Sequence, residues 1–296
     1  MKTVVVTGGT GFIGTPVVSA LLASHYKVIV LTRIQKKSSQ KNLSFVACDF
    51  FHPQLFSKLA KKLPKKFILL DIGAKIPTGE TVSIRNYIET NCISHIALVE
   101  AVQAHIEKIV FLSTVDVYGA MQGKKLVEDQ VKNPLTSYGL SKALLEDFYL
   151  FFHREQSIPV TLLRLSQVYG PGAHPINALP RFLNQVQKQE TLCLFGKGEE
   201  TRTYIHIQDV VQAILLSIKK SHTGIYNVAG EETKTLGQLL TLVKQFSPIP
   251  IHVEQKPRVK PIMHQRMDIS KIKKELNFHP NISLEQGIKN FYAHIF

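Results

Sequence analysis

Apolar and polar residues alternate along the first 165 residues in a pattern that predicts a parallel sheet covered by helices. Six short runs are almost continuously apolar, which is typical of strands buried on both faces. These predicted strands are Thr3–Thr7, Lys27–Thr32, Ser44–Ala47, Phe67–Ile72, Lys108–Ser113 and Val160–Leu165. Helical spacing of apolar residues predicts helices near 12–24, 53–62, 84–104 and 137–157. This alternation indicates a doubly wound α/β sheet.

The pattern changes after about residue 166. Gly170-Pro171-Gly172 and Gly196-Lys197-Gly198 break it, short elements follow, and an amphipathic helix is predicted near 284–295. We therefore expect a first domain over 1–165 and a smaller C-terminal α/β lobe over 166–296. The lobe is expected to bind substrate and to return in part to the first domain.

Composition supports a folded globular chain. The 296 residues are 44% hydrophobic and 20% charged, and no apolar run reaches the roughly 18–20 residues that span a bilayer. The N-terminus enters the first strand without the features of a signal peptide. Cys48, Cys92 and Cys193 form no CxxC pair, and no HExxH pair occurs. We expect buried reduced thiols, a cytoplasmic location, no membrane association and no metal site.

The formal net charge of +14 raises the question of an anionic partner. Basic residues come as scattered pairs such as Lys61-Lys62 and Lys65-Lys66, without a long basic tract. A solvated basic surface is the favoured interpretation. A field that attracts a diphosphate-bearing substrate is the second, and nucleic-acid binding is the least favoured.

The sequence TGGTGFIG at residues 7–14 carries the strongest local signal. Gly8, Gly11 and Gly14 follow a predicted strand and open a predicted helix, although their spacing is GxxGxxG rather than GxGxxG. Glycines there allow a tight turn and let backbone amides approach a pyrophosphate at the helix N-terminus. This context predicts a Rossmann dinucleotide-binding domain.

The end of the second strand bears on the choice of cofactor. Sites that prefer NAD usually place an acid there, on the ribose 2′-hydroxyl. Here the strand ends in Thr32-Arg33, with Lys36 and Lys37 beyond it. Arg33 could grip a 2′-phosphate, so NADP is slightly favoured over NAD, and an exposed arginine in an NAD site is the alternative.

Tyr138-Gly139-Leu140-Ser141-Lys142 suggests the catalytic chemistry. Residues at i and i+4 of a helix share a face, so the tyrosine and the lysine can converge. A nearby ammonium lowers the pKa of a phenol, and the phenolate can then accept a hydroxyl proton. Thr114 follows the fifth strand about two dozen residues earlier and supplies a third polar group.

With these features the chain resembles the extended short-chain dehydrogenase/reductases, specifically the NAD-dependent epimerase/dehydratase family that acts on nucleotide sugars. The resemblance covers nearly the whole chain. It rests on the glycine motif, on Asp49 and Asn91, and on STVDVYG, YGLSK, LRLSQVYGPG (163–172), Arg202-Thr203-Tyr204, Tyr226-Asn227-Val228 and Asp268-Ile269-Ser270-Lys271.

The resemblance implies roles for individual residues. The expected catalytic set is Thr114, Tyr138 and Lys142, with Thr114 also touching substrate, and Arg202 and Arg258 are expected to hold the substrate diphosphate. The expected cofactor-binding residues are Gly8, Gly11, Phe12, Ile13, Gly14, Arg33, Asp49, Asn91, Tyr138 and Lys142.

The chain departs from the family pattern in three places. Asp71-Ile72-Gly73-Ala74 replaces His-Leu-Ala-Ala, and we interpret Asp71 as a strand-end or turn acid rather than a residue near the cofactor. Arg258-Val259-Lys260-Pro261 replaces Arg-Pro-Gly-Asp and lacks its acid. Val115 and Asp116 stand where related dehydratases usually carry acid/base residues.

These observations predict that the protein is a nucleotide-sugar 4-epimerase that works through a transient keto sugar. An NADPH-dependent 4-keto reductase is the alternative, because Arg33 favours NADP whereas epimerases tend to retain NAD. A 4,6-dehydratase and a non-catalytic dinucleotide-binding regulator are less favoured. The predicted helices 84–104 and 137–157 are apolar enough to pair in a homodimer, by analogy with the family.

Overall fold

The computed structural model describes residues 1–34, 36–78, 82–120, 125–258 and 262–296. Within these ranges the chain forms one large parallel sheet, two smaller sheets and the helices that cover them. The strands are β1 Thr3–Thr7, β2 Lys27–Thr32, β3 Leu43–Ala47, β4 Phe67–Asp71, β5 Ile106–Thr114, β6 Val160–Leu165, β7 Gln167–Tyr169, β8 Leu192–Phe195, β9 Thr201–His206, β10 Gly224–Val228, β11 Thr233–Thr235 and β12 Val253–Lys256.

The helices lie mainly between the strands. They are α1 Gly14–Ala23, α2 Ile84–Ile88, α3 Ser94–Val102, α4 Ser137–Gln156, α5 Ala178–Gln187, α6 Ile207–Lys219, α7 Leu236–Phe246, α8 Ser270–Leu276 and α9 Leu284–Ile295. A π-helical segment, Glu89–Ile93, joins α2 to α3. Within the described ranges, every helix is too short or too polar to cross a lipid bilayer.

The large sheet has the strand order β10-β6-β5-β4-β1-β2-β3, and each neighbouring pair is parallel. From β3 to β6 this is the doubly wound order of a Rossmann domain, with the order reversing between β1 and β4. The predicted fold class is therefore confirmed. Five of the six predicted first-domain strands agree with the structure to within one residue at each end, and β5 is longer than predicted by two residues at its start and one at its end.

Two predicted helices differ from the structure. The 53–62 segment forms two 3₁₀ turns, Pro53–Lys58 and Ala60–Lys62, which bury Phe56 and Leu59. The 84–104 segment divides into α2, the π-helical segment, α3 and a final 3₁₀ turn, Gln103–His105.

The second half of the chain contributes to both parts of the molecule. β10 pairs with β6 as an edge strand of the large sheet. The sheets β11-β9-β7 and β12-β8 lie outside the large sheet, and α5, α7 and α9 share a separate apolar core. The proposed boundary between residues 165 and 166 stays a proposal.

Candidate active site

The turn after β1 can be built only with glycine at two positions. Gly8 has φ 66°, and a side chain there would lie 2.8 Å from the backbone of Gly73. A methyl group on Gly14 would lie 2.1 Å from the carbonyl oxygen of Gly8. Both approaches are shorter than any van der Waals contact, so the tight turn and the seating of α1 on the sheet explain these glycines.

The same turn leaves backbone donors at the start of α1. It is closed by hydrogen bonds from Gly11 N to Gly8 O (3.0 Å) and from Thr15 N to Gly11 O (2.9 Å). The N–H groups of Phe12 and Ile13 are not used by these bonds. Free N–H groups at a helix N-terminus favour an anion such as a pyrophosphate.

Two further cofactor candidates lie at the same edge of the sheet, because the carboxyl ends of parallel strands share an edge. Arg33 follows β2, is exposed, and forms no hydrogen bond or ion pair with the described residues. Asp49 lies just beyond β3, and its Oδ1 accepts a hydrogen bond from Phe51 N at 3.0 Å. Their contacts with a cofactor remain predictions.

The three predicted catalytic residues come from two elements that pack together. Thr136 caps α4 by accepting a hydrogen bond from Gly139 N at 2.9 Å, which places Tyr138 in the first turn and Lys142 one turn later. A methyl group on Gly139 would lie 2.7 Å from the carbonyl oxygen of Asp116. The start of α4 therefore rests against the loop that follows Thr114, the last residue of β5.

Burial shifts the pKa values of Tyr138 and Lys142, near the start of α4. It raises the pKa of Tyr138, as do the neighbouring Asp116 and Tyr87, whose ring centroid is 6.3 Å away from that of Tyr138. Burial also lowers the pKa of Lys142 to about 8, although Asp71 and Glu146 act in the opposite direction. Without a ligand the phenol is therefore protonated at neutral pH.

Lys142 is buried, and its ammonium group is available to bind a ligand. Its side chain is 2% exposed, and its Nζ lies 4.2 Å from the centroid of the Phe111 ring. Among the described residues it has no hydrogen-bond acceptor. An ammonium group carries three hydrogen-bond donors, so this position fits a ligand with hydroxyl groups, as a nucleotide ribose has.

Asn91 is placed differently from the other cofactor candidates. It lies in the π-helical segment and is 1% exposed. Its amide bonds to the backbone of Lys75, with Oδ1 accepting from Lys75 N at 2.7 Å and Nδ2 donating to Lys75 O at 2.9 Å. Asn91 thus fixes the loop after β4, and any effect on a cofactor would act through that loop.

Asp71 ends β4, as expected for a strand-end acid, but it is completely buried in a hydrogen-bond network. Its carboxylate accepts hydrogen bonds from Thr7 Oγ1 (2.5 Å), Tyr149 Oη (2.6 Å) and His95 Nδ1 (2.8 Å). Burial alone would raise its pKa, but His95, Lys142 and Thr7 together hold that pKa below its usual value. Sequence reasoning missed these partners because they lie in separate elements and form no motif.

The predicted diphosphate residues line one cavity of about 450 Å³. Arg202 donates to the carbonyl oxygens of Thr201 and Met263, and Arg258 forms an ion pair with Glu200 at 2.6 Å. Residues 259–261, which belong to the segment that departs from the family pattern, lie outside the described residues. The cavity is lined by Gln167, Ile176, Asn177, Ala178, Arg181, Leu194, Phe195, Glu200, Arg202, Tyr204, Leu236 and Arg258.

The charge of this cavity suits an anion, because three guanidinium groups and only one carboxylate line it among the described residues. Arg181 and Glu200 were missed from the sequence, because single charged residues outside a motif carry no recognisable signal. Gln265 connects the cavity to the catalytic corner: it donates to Asp116 Oδ1 at 3.5 Å and accepts from Gln167 at 3.3 Å.

Comparison with known proteins gives one family match and many relatives. The model of the NAD dependent epimerase/dehydratase family matches residues 4–229. A human dTDP-D-glucose 4,6-dehydratase is 31% identical over 257 residues, which cover 80% of this chain and 72% of that protein. A putative UDP-glucose 4-epimerase from Methanocaldococcus jannaschii is 29% identical over 301 residues, covering 97% and 96% of the two chains.

Solved structures show the same architecture. The UDP-glucuronic acid 4-epimerase of Bacillus cereus, in complex with UDP-glucuronic acid and NAD, superimposes with a TM-score of 0.86 at 26% identity. The match covers 99% of this chain and 98% of that one.

Proposed function

Because the chain belongs to the NAD-dependent epimerase/dehydratase family, we propose that it is an NAD(P)-dependent nucleotide-sugar epimerase that inverts C4 of the sugar through a transient keto sugar. The observation that carries this proposal is that the start of α4, with Tyr138 and Lys142, packs against the loop that follows Thr114, near a cavity rich in arginine. The similarity to nucleotide-sugar epimerases supports the substrate class.

The mechanism follows from what these side chains can do. When bound, the nicotinamide supplies an acceptor and donor of hydride. Tyr138 takes the proton from the C4 hydroxyl and later returns it. The positive charge of Lys142 would favour the phenolate against burial, Asp116 and Tyr87, which raise the pKa of Tyr138. Thr114 Oγ1 already accepts from Asp116 N at 3.2 Å, so its own proton is free to be donated to the sugar oxygen.

Other residues bind and orient the two ligands. The turn at Gly8 and the N–H groups that follow it would hold the cofactor pyrophosphate, with Lys142 on the nicotinamide ribose. Arg202 and Arg258 would hold the substrate diphosphate. Since Arg258 is paired with Glu200, the substrate has to compete with that carboxylate or share the arginine with it.

The experiment that tests this proposal is a panel of UDP-, GDP-, CDP- and dTDP-hexoses incubated with the purified protein. We expect one member to be converted to its C4 epimer at constant mass, without net consumption of cofactor. Stoichiometric oxidation of NADPH by a 4-keto sugar would instead establish the reductase alternative, which Arg33 favours.

Cofactor preference gives a separate prediction. If Arg33 grips a 2′-phosphate, fluorescence titration should show tighter binding of NADPH than of NADH. Arg33→Ala should then erase the preference, losing a charge-assisted contact of roughly 1.5–3 kcal/mol, which is tenfold or more in Kd. Arg154→Ala, at an exposed arginine near the end of α4, is the matched control. Equal affinities in the parent protein would refute the NADP assignment and strengthen the epimerase proposal.

We predict that the protein makes no 4-keto-6-deoxy sugar, although one relative is a dehydratase. Dehydration needs a base at C5 and an acid at C6, but Val115 cannot exchange a proton. Asp116 is a methylene shorter than the glutamate usual in that position, and it is held by Gln265. Mass spectrometry for the loss of one water checks the prediction. A dehydrated product that disappears in Asp116→Asn would overturn it and make Asp116 the base.

We also propose a homodimer and a cytoplasmic location. Large apolar side chains at Leu144 and Phe151 on α4, and at Ile84 and Ile93 beside it, are 40–56% exposed, which supports pairing through these helices. Cys48, Cys92 and Cys193 are free thiols, which suits a reducing compartment. Cys193 is half-buried, so the expectation that all three are buried holds only for the other two.

A further inference from the structure

A buried carboxylate lies at the point of the large sheet where ligands of this fold bind. Asp71 ends β4 and pairs with Thr7 at the end of β1, where the strand order reverses. Thr7 Oγ1 donates to Asp71 and accepts from the N–H groups of Ile72 and Gly73. Thr7 therefore links the carboxylate to the loop after β4, whose Gly73 packs against Gly8.

One of the three hydrogen-bond partners of this carboxylate, His95, is itself titratable and lies 2.8 Å from Asp71. Thr7 and Tyr149 are neutral donors, so only His95 and Lys142 can supply positive charge nearby.

Lys142 lies near this carboxylate, since its Nζ is 4.2 Å from the centroid of the Phe111 ring and Phe111 pairs with Asp71 between β5 and β4. The Phe111 ring is also 5.0 Å from the ring of Tyr149, which donates to Asp71. A second carboxylate, Glu146, lies one turn beyond Lys142 on α4 and also acts on its charge.

Glu146 is already paired with other cations. It lies 2.7 Å from Arg164 and 3.7 Å from Lys132. Asp71 has no arginine or lysine ion-pair partner among the described residues. Glu146 thus has two cationic partners besides Lys142, whereas the ion-pair partner of Asp71 among the described residues is His95. The negative charge of Asp71 is therefore less fully balanced before Lys142 is counted.

We propose that Asp71 is a positioning residue: its carboxylate, held in place by Thr7, Tyr149 and His95, is the buried counter-charge that keeps the Lys142 ammonium charged. Its consequence for turnover rests on the proposed function. The effect of Asp71 on the pKa of Lys142 is independent of that function, because both side chains are present without any ligand.

The sign of the effect follows from the groups that surround Lys142. Burial lowers the pKa of Lys142 to about 8, and the carboxylates of Asp71 (β4) and Glu146 (α4) raise it, while Phe111 (β5) presents a ring face. Around Asp71 itself the titratable groups are His95 on α3, and Tyr149 and Lys142 on α4. Removal of the Asp71 charge must therefore lower the pKa of Lys142 further, and the ammonium is lost at a lower pH.

The test is a pH titration of the lysine side chains by ¹³Cε NMR on the full-length protein without substrate. Lys142→Met assigns the signal, because burial also lowers the pKa of Lys108 to about 8. In Asp71→Asn we expect the Lys142 midpoint to fall by about one to three pH units, the usual effect of a close opposite charge. Tyr149→Phe is the matched control, since it removes a hydrogen bond to the same carboxylate oxygen and keeps the charge. An unchanged midpoint in Asp71→Asn, or an equal shift in Tyr149→Phe, overturns the proposal.

Failure of Asp71→Asn to fold would also give an answer. The double variant Asp71→Asn, Lys142→Met removes both charges and leaves no uncompensated ion, so it should restore soluble protein with cooperative unfolding. If the double variant is as unstable as the single one, the proposal is wrong.

A second measurement, the pH dependence of kcat, distinguishes the proposed function from the proposed role of Asp71. In an active enzyme, Asp71→Asn should move the alkaline limb of the pH profile of kcat to lower pH and leave the acid limb in place, whereas a merely structural defect lowers kcat at every pH. A protein that is inactive on every nucleotide sugar but shows the shifted Lys142 midpoint would refute the proposed function and support this inference.

Discussion

Replacement of Tyr138 by phenylalanine is expected to lower turnover by about 10²–10⁴-fold, the loss typical of a positioned acid/base group. The ring and its packing are kept, and only the atom that exchanges the proton is removed. The assay is epimer formation from the nucleotide sugar that the panel identifies. Cofactor affinity, measured by titration of NADH fluorescence, should change little.

Tyr87→Phe is the matched control for this prediction. Tyr87 packs edge-on against Tyr138 with ring centroids 6.3 Å apart, and it too carries a phenol at this corner. Loss of its hydroxyl should leave turnover within a fewfold of the parent. Near-parental turnover in Tyr138→Phe would remove that residue from the mechanism, and an equal loss in both variants would point to a packing effect.

The largest effect on stability is expected from Glu146→Gln. Glu146 is fully buried on α4 and accepts from Arg164 Nε at 3.0 Å and from Arg164 Nη2 at 2.7 Å, while Arg164 itself is 2% exposed. The amide leaves a buried guanidinium without its counter-charge, which typically costs about 3–5 kcal/mol. Urea unfolding at neutral pH measures the change in the free energy of unfolding.

An exposed pair on another helix supplies the comparison for this stability test. Glu285 and Lys289 are 2.6 Å apart on α9 and about half-exposed. Glu285→Gln should change the free energy of unfolding by less than about 1 kcal/mol. A loss of similar size in the two variants would contradict the role given to burial of the Arg164–Glu146 pair.

Much of the large sheet could be predicted from the sequence, because its strands are buried on both faces and read as continuous apolar runs. The pair Tyr138 and Lys142 could be predicted for a related reason: helical spacing is local, so i and i+4 positions reveal a shared face. The break in helix 84–104 could not. A π turn shifts the helical register by only one residue, and the bonds of Asn91 in this segment go to Lys75, 16 residues away.

The polar surroundings of the site could not be predicted because they join distant segments. Asp71 meets Thr7 across 64 residues and Tyr149 across 78, and Arg258 meets Glu200 across 58. No local spacing encodes such pairs. The departure at Asp71 was visible in the sequence, but whether the acid pointed to solvent or into the sheet depended on partners that only the fold brings together.

The placement of β10 has a consequence for how the chain is made. β6 has its second neighbour only when residues 224–228 are available to pair with it. During synthesis from the N-terminus, the first six strands of the sheet therefore emerge with β6 as an open edge, and an uncovered edge of buried, apolar strand invites pairing with other chains. We therefore expect the nascent protein to be prone to aggregation in the interval between the emergence of β6 and that of β10, long after the glycine turn at residues 8–14 can form.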